Sequence, residues 1–328
     1  MFHMQLPSAL FAFGVANVVQ SGGEALDAWL PTWFPSVMAS RYSLTKLDSN
    51  TRRIQNLSAL LPQNSESGGG RSLSAIKIVA EKSGDVARAH GNLANGVIGL
   101  DPQLIAHQNE NPKIYAAKHV LENCSQEKAS FDQLLIAAPD TPQELTVYLQ
   151  QHVTSTEIES WRKHLKFLTL DLNEDELRFV LEHERGHLTY QDRKNELMCS
   201  TALRFIAMGT AEVMSRICLP QISLAYYAAH LAGYLLSRCA LATLVQHKHE
   251  CRADLFAAKE QKQAAGGVRW CKRMLIIEWI GQQLATSTEG KRQWSWSLEN
   301  VASHPSFEAR LSVCVKQLSS SQEGVLQV

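Results

Sequence analysis

The stretch that decides the fold is NEDELRFVLEHERGHLTY, residues 173–190. It opens with a helix-capping signal, because Asn173 is followed three residues later by Glu176 and the first turn is acidic. The apolar residues beyond the cap recur at intervals of three and four, which predicts one apolar stripe along a helix. They are Leu177, Val180, Leu181 and Leu188. The pattern predicts an amphipathic helix from about residue 173 to residue 190.

Two histidines on this helix are spaced to share a metal ion. His183 and His187 are four residues apart, so they project from the same helical face one turn apart. Glu184 is offset by one residue and can reach a water beside the metal without being a ligand, as a general base must. The alternative is a pair of surface histidines on an ordinary helix. The capped, amphipathic setting favours a zinc site, with Glu184 as the catalytic base.

A third ligand is required, since catalytic zinc sites have three protein ligands and leave one position open. Glu250 and Asp254 are four residues apart downstream and share a face of a predicted helix. Glu250 is the natural third ligand, and Asp254 would accept a hydrogen bond from the outer nitrogen of a ligating histidine. His247 lies on the same face and competes with Glu250 for the third position.

Taken together, these motifs resemble a known family. The chain is similar to the HtpX-like and CAAX-prenyl-protease-like zinc metallopeptidases, which are gluzincins with HExxH followed by a downstream ExxxD. The resemblance spans about residues 75–315. Three motifs carry it in order: the helix at 174–187 with its glycine before the second histidine, Glu250 with Asp254, and His304-Pro305 followed by Arg310.

The resemblance implies a set of roles for these residues. It implies one Zn²⁺ per chain, with Glu250 completing the set of ligands begun by the two helical histidines. His304 is the implied donor to the oxyanion that forms during peptide hydrolysis. Arg310 is implied to hold the site, or His304, in place.

A weaker match concerns the strand beside the cleft. Residues 92–98 resemble the family's edge strand but lack its usual aromatic residue. Gly96, Val97 and Ile98 are therefore predicted to form an edge strand that pairs with an extended substrate peptide.

Composition limits the partners of the chain. Among 328 residues, Lys plus Arg and Asp plus Glu number 32 each, so no net charge recruits nucleic acid. The seven cysteines include no CxxC pair, which argues against a zinc knuckle or a redox motif and favours a reducing compartment. The expected partner is a peptide or protein substrate.

The predicted fold class is α+β and mostly α-helical. We expect a zincin-like metallopeptidase fold, with a small β-sheet beside the HExxH helix and a helical hairpin between the metal-ligand motifs. The predicted organisation is an N-terminal helical region at 1–62, a flexible linker at 63–72, a zinc metallopeptidase domain at 73–318 with an insert at about 110–168, and a C-terminal tail at 319–328.

The hairpin at about 199–245 has two interpretations. Its two apolar stretches are each long enough to span a bilayer, and basic residues flank the pair while the connection is uncharged. This pattern predicts membrane association with the zinc site facing the cytoplasm. Charged residues inside both stretches, Arg204, Glu212, Arg216 and Arg238, favour instead a buried hairpin in a cytoplasmic protein.

The leading functional prediction is a zinc-dependent endopeptidase, with a role in membrane-protein quality control suggested by the resemblance. The alternative is a catalytically silent family member that acts as a membrane-associated or chaperone-like interaction module. No ligand position is lost, which counts against this alternative. A purely structural zinc site fits poorly, since such sites usually have four ligands rich in cysteine.

Overall fold

A computed structural model provides the three-dimensional description of this protein. The structure describes these parts of the chain: 57, 76–80, 86–91, 93, 96–105, 125–192, 194–195, 198–199, 202, 243–286 and 305–325.

A small sheet of three strands lies in the first part of the described chain. The strands are β1 (Lys77–Ala80), β2 (Ala87–His90) and β3 (Val97–Leu100). Their order is β1-β3-β2, with β1 parallel to β3 and β2 antiparallel to it. The middle strand is fully buried, as a short apolar run of this kind predicts.

This order corrects the predicted place of the substrate strand. Val97 and Ile98 lie in β3, and Gly96 directly precedes it; β3 pairs with β1 on one side and with β2 on the other. Both hydrogen-bonding edges of β3 are thus occupied, and a peptide cannot pair with it. The prediction was wrong because a buried apolar strand gives no sequence signal for whether it lies in the middle of a sheet or at its edge.

Helices make up most of the described chain. The main ones are α1 (Pro102–Ile105), α2 (Ser125–Ala137), α3 (Pro142–His152), α4 (Ser155–Arg162), α5 (Leu165–Leu170), α6 (Glu174–Tyr190), α7 (helical over 243–257), α8 (Gln261–Thr286) and α9 (Phe307–Val325). Residues 57, 192, 194–195, 198–199 and 202 are also helical. The predicted α+β, mostly helical fold is confirmed.

The central helix is α6, and it is buried on two sides. One side carries Leu177, Leu181 and Leu188, which pack on the sheet against Ile98 and its neighbours. The other side carries Phe179 and Val180, which pack on α8 and α9. The four residues of the predicted stripe are all buried, but they divide between these two interfaces. Helix α6 is therefore held between the sheet and a helical layer.

Two glycines in α8 allow it to cross close to α6. A Cβ atom at Gly266 would lie 2.2 Å from the carbonyl oxygen of Asp175. A Cβ atom at Gly267 would lie 2.5 Å from the ring of Phe179. Such distances are far below van der Waals contact, so only glycine fits at this crossing.

The predicted insert is described from residue 125 onward, and that part is helical. Helices α2 to α5 bury an apolar cluster against the second half of α8. Trp161 lies in this cluster beside Phe131, with ring centroids 5.7 Å apart and nearly perpendicular planes. The insert thus packs on the same helix that supports α6.

Several predicted segments lie wholly or mostly outside the described residues. These are the N-terminal region at 1–62, the linker at 63–72 and most of the apolar hairpin at 199–245. Among the residues that are described, no helix is long and apolar enough to cross a membrane.

Candidate metal centre

The two histidines of α6 converge on one point. His183 and His187 are stacked one turn apart, and their Nε2 atoms are 3.0 Å apart. The capping box predicted for this helix is present, since the Asn173 side chain accepts from the Glu176 backbone N–H and the Glu176 side chain accepts from the Asn173 N–H. The helix that carries both imidazoles is therefore fixed at its first turn.

Glu250 on α7 completes a set of three donors. Its Oε2 lies 3.3 Å from Nε2 of His183, and its Oε1 lies 3.4 Å from Nε2 of His187. Ligands about 2.0–2.1 Å from a tetrahedral zinc ion are about 3.3 Å from one another, so these spacings fit zinc. Two imidazoles and one carboxylate are also a donor set typical of catalytic zinc, with one position left for water or substrate. His183, His187 and Glu250 could therefore hold a metal ion.

Gly186 brings the two ligand-bearing helices together. A Cβ atom at this position would lie 3.1 Å from Cα of Ala253 in α7. Because Gly186 and Ala253 are both small, α7 approaches α6 closely enough for Glu250 to reach the histidines. The glycine inside the HExxH motif thus has a packing role.

Behind His183 lies a buried pair of charges. Nδ1 of His183 is 2.9 Å from Oδ1 of Asp254, and Arg310 donates two hydrogen bonds to the same carboxylate, at 2.7 and 2.8 Å. Burial raises the pKa of Asp254, but the Arg310 guanidinium and the His183 imidazole together outweigh it and hold the pKa below its usual range. An ionised Asp254 fixes the His183 tautomer that leaves Nε2 free to bind a metal.

Behind His187 lies Asp192, which sequence reasoning did not identify. Helix α6 ends at Tyr190, and its C-cap residue Gln191 has a left-handed backbone (φ 52°), after which the chain is helical again at Asp192. The turn at Gln191 places Oδ2 of Asp192 2.9 Å from Nδ1 of His187. The only available signal was an acidic residue five positions after the second histidine, just past the predicted end of the helix.

Glu184 lies next to the ligands but is held less tightly than they are. It is buried, and its negative charge acts on His187. Within the described part of the chain its carboxylate makes no hydrogen bond, whereas Asp254 and Asp192 are both engaged. This is the arrangement expected of a group that must exchange a proton with a water molecule.

The remaining predicted site residues are placed as follows. His247 does not lie with His183, His187 and Glu250, and its buried Nε2 atom has no hydrogen-bond partner within the described residues. Glu250 rather than His247 therefore fits as the third ligand. His304 lies outside the described residues, so its role stays a prediction.

In the metal-free protein, the carboxylates around His183 and His187 favour protonation of the two imidazoles. Burial lowers the pKa of His187, but Asp192 and Glu250 outweigh it and raise the pKa to about 10. Burial and Arg310 lower the pKa of His183, and Asp254 and Glu250 again raise it above its usual value. Because the two Nε2 atoms are 3.0 Å apart, the pair shares a proton rather than carrying two there.

We expect zinc binding at neutral pH to release about one proton per metal ion, because zinc binds only neutral imidazole. The shared proton stabilises the metal-free fold fully below pH 6.5, and this contribution is lost as the pH rises toward about 10. Zinc affinity should therefore increase with pH over the same interval. Calorimetric titrations in buffers of different ionisation enthalpy measure the proton directly. Identical heats in all buffers would contradict this expectation.

Comparison with known proteins agrees with the geometry. The sequence model of Peptidase family M48 matches residues 77–317, which is most of the chain and close to the range of the resemblance. No curated protein and no solved structure matches the chain.

Proposed function

The chain belongs to peptidase family M48 and is a zinc-dependent metalloprotease, and from that premise we propose that it is an endopeptidase with Glu184 as its general base. The metal would be held by His183, His187 and Glu250. The convergence of these three donors, with Glu184 beside them on the same helix, is the observation that carries the proposal. The intact donor set also supports an active peptidase over a catalytically silent family member.

Each group has a distinct part in the proposed hydrolysis. When bound, zinc supplies Lewis acidity, which acidifies water and polarises a carbonyl group. The Glu184 carboxylate accepts a proton from the attacking water as its oxygen bonds to the peptide carbon. Glu184 then returns that proton to the amide nitrogen as the C–N bond breaks, so the products are a carboxylic acid and an amine. Asp254 and Asp192 keep both imidazoles oriented throughout.

The strand that we propose for substrate docking is β2 rather than β3. It lies beside α6, since Ala87 and Ala89 pack against the cluster that contains Leu177 and Leu181. Its outer edge pairs with no other strand in the described chain, so it is the strand of this sheet that an extended peptide would join by edge pairing.

Amide hydrogen exchange tests this docking mode. The Glu184→Gln variant should hold a peptide without cutting it, and β2 amides should then exchange more slowly than in the free variant. The amides of β3 serve as the control, because that strand is already paired on both sides. Unchanged exchange in β2 with the peptide bound would place the substrate elsewhere.

Edge pairing also bears on the class of substrate. A peptide must be extended to pair with a strand, so unfolded segments should be cut in preference to folded domains. This preference supports a role in protein quality control. The extension of that role to membrane proteins, with the zinc site facing the cytoplasm, rests on the apolar stretches of 199–245 and their basic flanks.

Zinc content measured beside cleavage of an unfolded protein tests the proposed metal site. Wild type should contain about one zinc ion per chain. Glu250→Ala should lose most of its zinc and its activity, whereas His247→Ala should keep both. Normal zinc in Glu250→Ala, or its loss only in His247→Ala, would reassign the third ligand.

A further inference from the structure

The two metal-binding histidines are each supported by a carboxylate, an arginine and an aromatic ring. Behind His183 the series is Asp254, Arg310 and Trp270, with Cζ of Arg310 4.7 Å from the ring centroid. Behind His187 the series is Asp192, Arg252 and Tyr190, with Cζ of Arg252 4.1 Å from the ring centroid. Nothing in the sequence resemblance assigns a role to the second series.

We propose that Arg252 is a positioning residue that holds Asp192 against His187 and thereby slows the loss of zinc from the site. The inference rests on the proposed function in one respect, namely that the site binds zinc.

The ion pair between Arg252 and Asp192 connects the two helices that carry the metal ligands. Asp192 lies just past the end of α6, after the left-handed Gln191 and at the start of a further helical turn, so it belongs to a different helical segment from His187. Arg252 comes from α7, two residues after Glu250. Its hydrogen bond to Oδ1 of Asp192 therefore ties the end of the His187 helix to the helix that carries the third ligand.

The burial of Asp192 distinguishes its ion pair with Arg252 from an ordinary surface ion pair. Asp192 is buried, so its charge is poorly hydrated and its attraction to a guanidinium is only partly screened. The ring of Tyr190 lies against the guanidinium and restricts its motion. Another cationic candidate, Nε2 of His249, is 3.8 Å from Asp192, too far for a hydrogen bond.

The two arginines behind the histidines differ in their exposure to solvent. The side chain of Arg310 is 5% exposed, whereas that of Arg252 is 34% exposed. Dissolved ions can therefore compete for Arg252 and hardly for Arg310. The His187 side of the site is thus the side from which salt should loosen zinc.

The test measures the rate at which a chelator removes zinc from purified full-length protein. The variants are Arg252→Met, which keeps the aliphatic stem, and Arg252→Lys, which keeps the charge. The matched control is Arg178→Met, because Arg178 is 33% exposed and pairs with Glu174 on the outer side of α6. Thermal unfolding of the metal-free proteins checks that each variant folds. Cobalt(II) absorption reports the geometry of the ligands.

We expect Arg252→Met to release zinc about tenfold to a hundredfold faster than wild type, the range typical of groups that orient a metal ligand. Arg252→Lys should be intermediate, and Arg178→Met should match wild type. Raising the potassium chloride concentration should speed release from wild type but not from Arg252→Met. The cobalt spectrum should change only in the Arg252 variants.

Equal release rates in wild type and Arg252→Met would overturn the inference, as would an equal effect of Arg178→Met. Zinc that binds and depends on Arg252 in a protein that cuts no peptide would support the inference while refuting the proposed peptidase activity. A folded wild-type protein that binds no zinc would overturn both.

Discussion

Glu184→Gln is expected to lower kcat/KM for peptide hydrolysis by about 10²- to 10⁴-fold, the usual contribution of a general base. Glutamine has nearly the same shape but cannot accept the proton of the attacking water. Because Glu184 is not one of the three side chains that could bind the metal, the variant should retain its zinc. Steady-state kinetics and elemental analysis on the same preparation measure both quantities.

A matched control comes from the first turn of the same helix. Glu174→Gln makes the same chemical change at an exposed position far along α6 from the histidines. This variant should keep near-wild-type kcat/KM. If Glu184→Gln cuts at the wild-type rate with its zinc bound, another group is the base and the proposed mechanism is wrong.

Arg273→Met should lower the free energy of unfolding by about 3–5 kcal/mol, because it leaves a buried carboxylate without its partner. Arg273 is 1% exposed and donates from Nε and Nη2 to the two oxygens of Glu176, at 2.9 and 3.2 Å. Its Nη1 donates to the carbonyl oxygen of Leu168 in α5. One guanidinium therefore joins the insert, α8 and the capped start of the metal helix. Denaturant unfolding monitored by circular dichroism measures the loss.

Arg269→Met is the control for this second prediction. Arg269 lies on the same helix, but its Nε is 3.8 Å from Glu176 and its side chain is partly exposed, so a loss below about 1 kcal/mol is expected. Adding Glu176→Gln to Arg273→Met should recover much of the stability, since glutamine removes the buried charge and still serves a capping box. Equal losses in the two single variants would refute the assigned role of Arg273.

The sequence was sufficient to predict the parts of the site that depend on local spacing. The capping box at Asn173, the helix that follows it and the convergence of His183 with His187 all arise within one helix. The assignment of Glu250 rests on its spacing to Asp254 together with the family resemblance, because a Glu and an Asp four residues apart are common on solvated helices. The family resemblance and the mostly helical fold are confirmed.

The rest depends on how separate segments pack, which local patterns do not encode. The strand at 97–100 has the composition of a buried strand, but its place between β1 and β2 is set by tertiary pairing. Asp192 reaches His187 only because Gln191 adopts a left-handed conformation, which is uncommon for a residue other than glycine and has no sequence signal here. Arg252 looks like a solvated charge until α7 is placed beside the end of α6.

The distance along the chain between His183 and Arg310 has a consequence for biosynthesis. Arg310 lies 127 residues after His183, yet it supplies the positive charge that stabilises the ionised Asp254 behind that histidine. A nascent chain, or a fragment cut before α9, carries both histidines and Glu250 but lacks the guanidinium that pairs with Asp254. We therefore expect the metal site to become stable only after α9 has been synthesised.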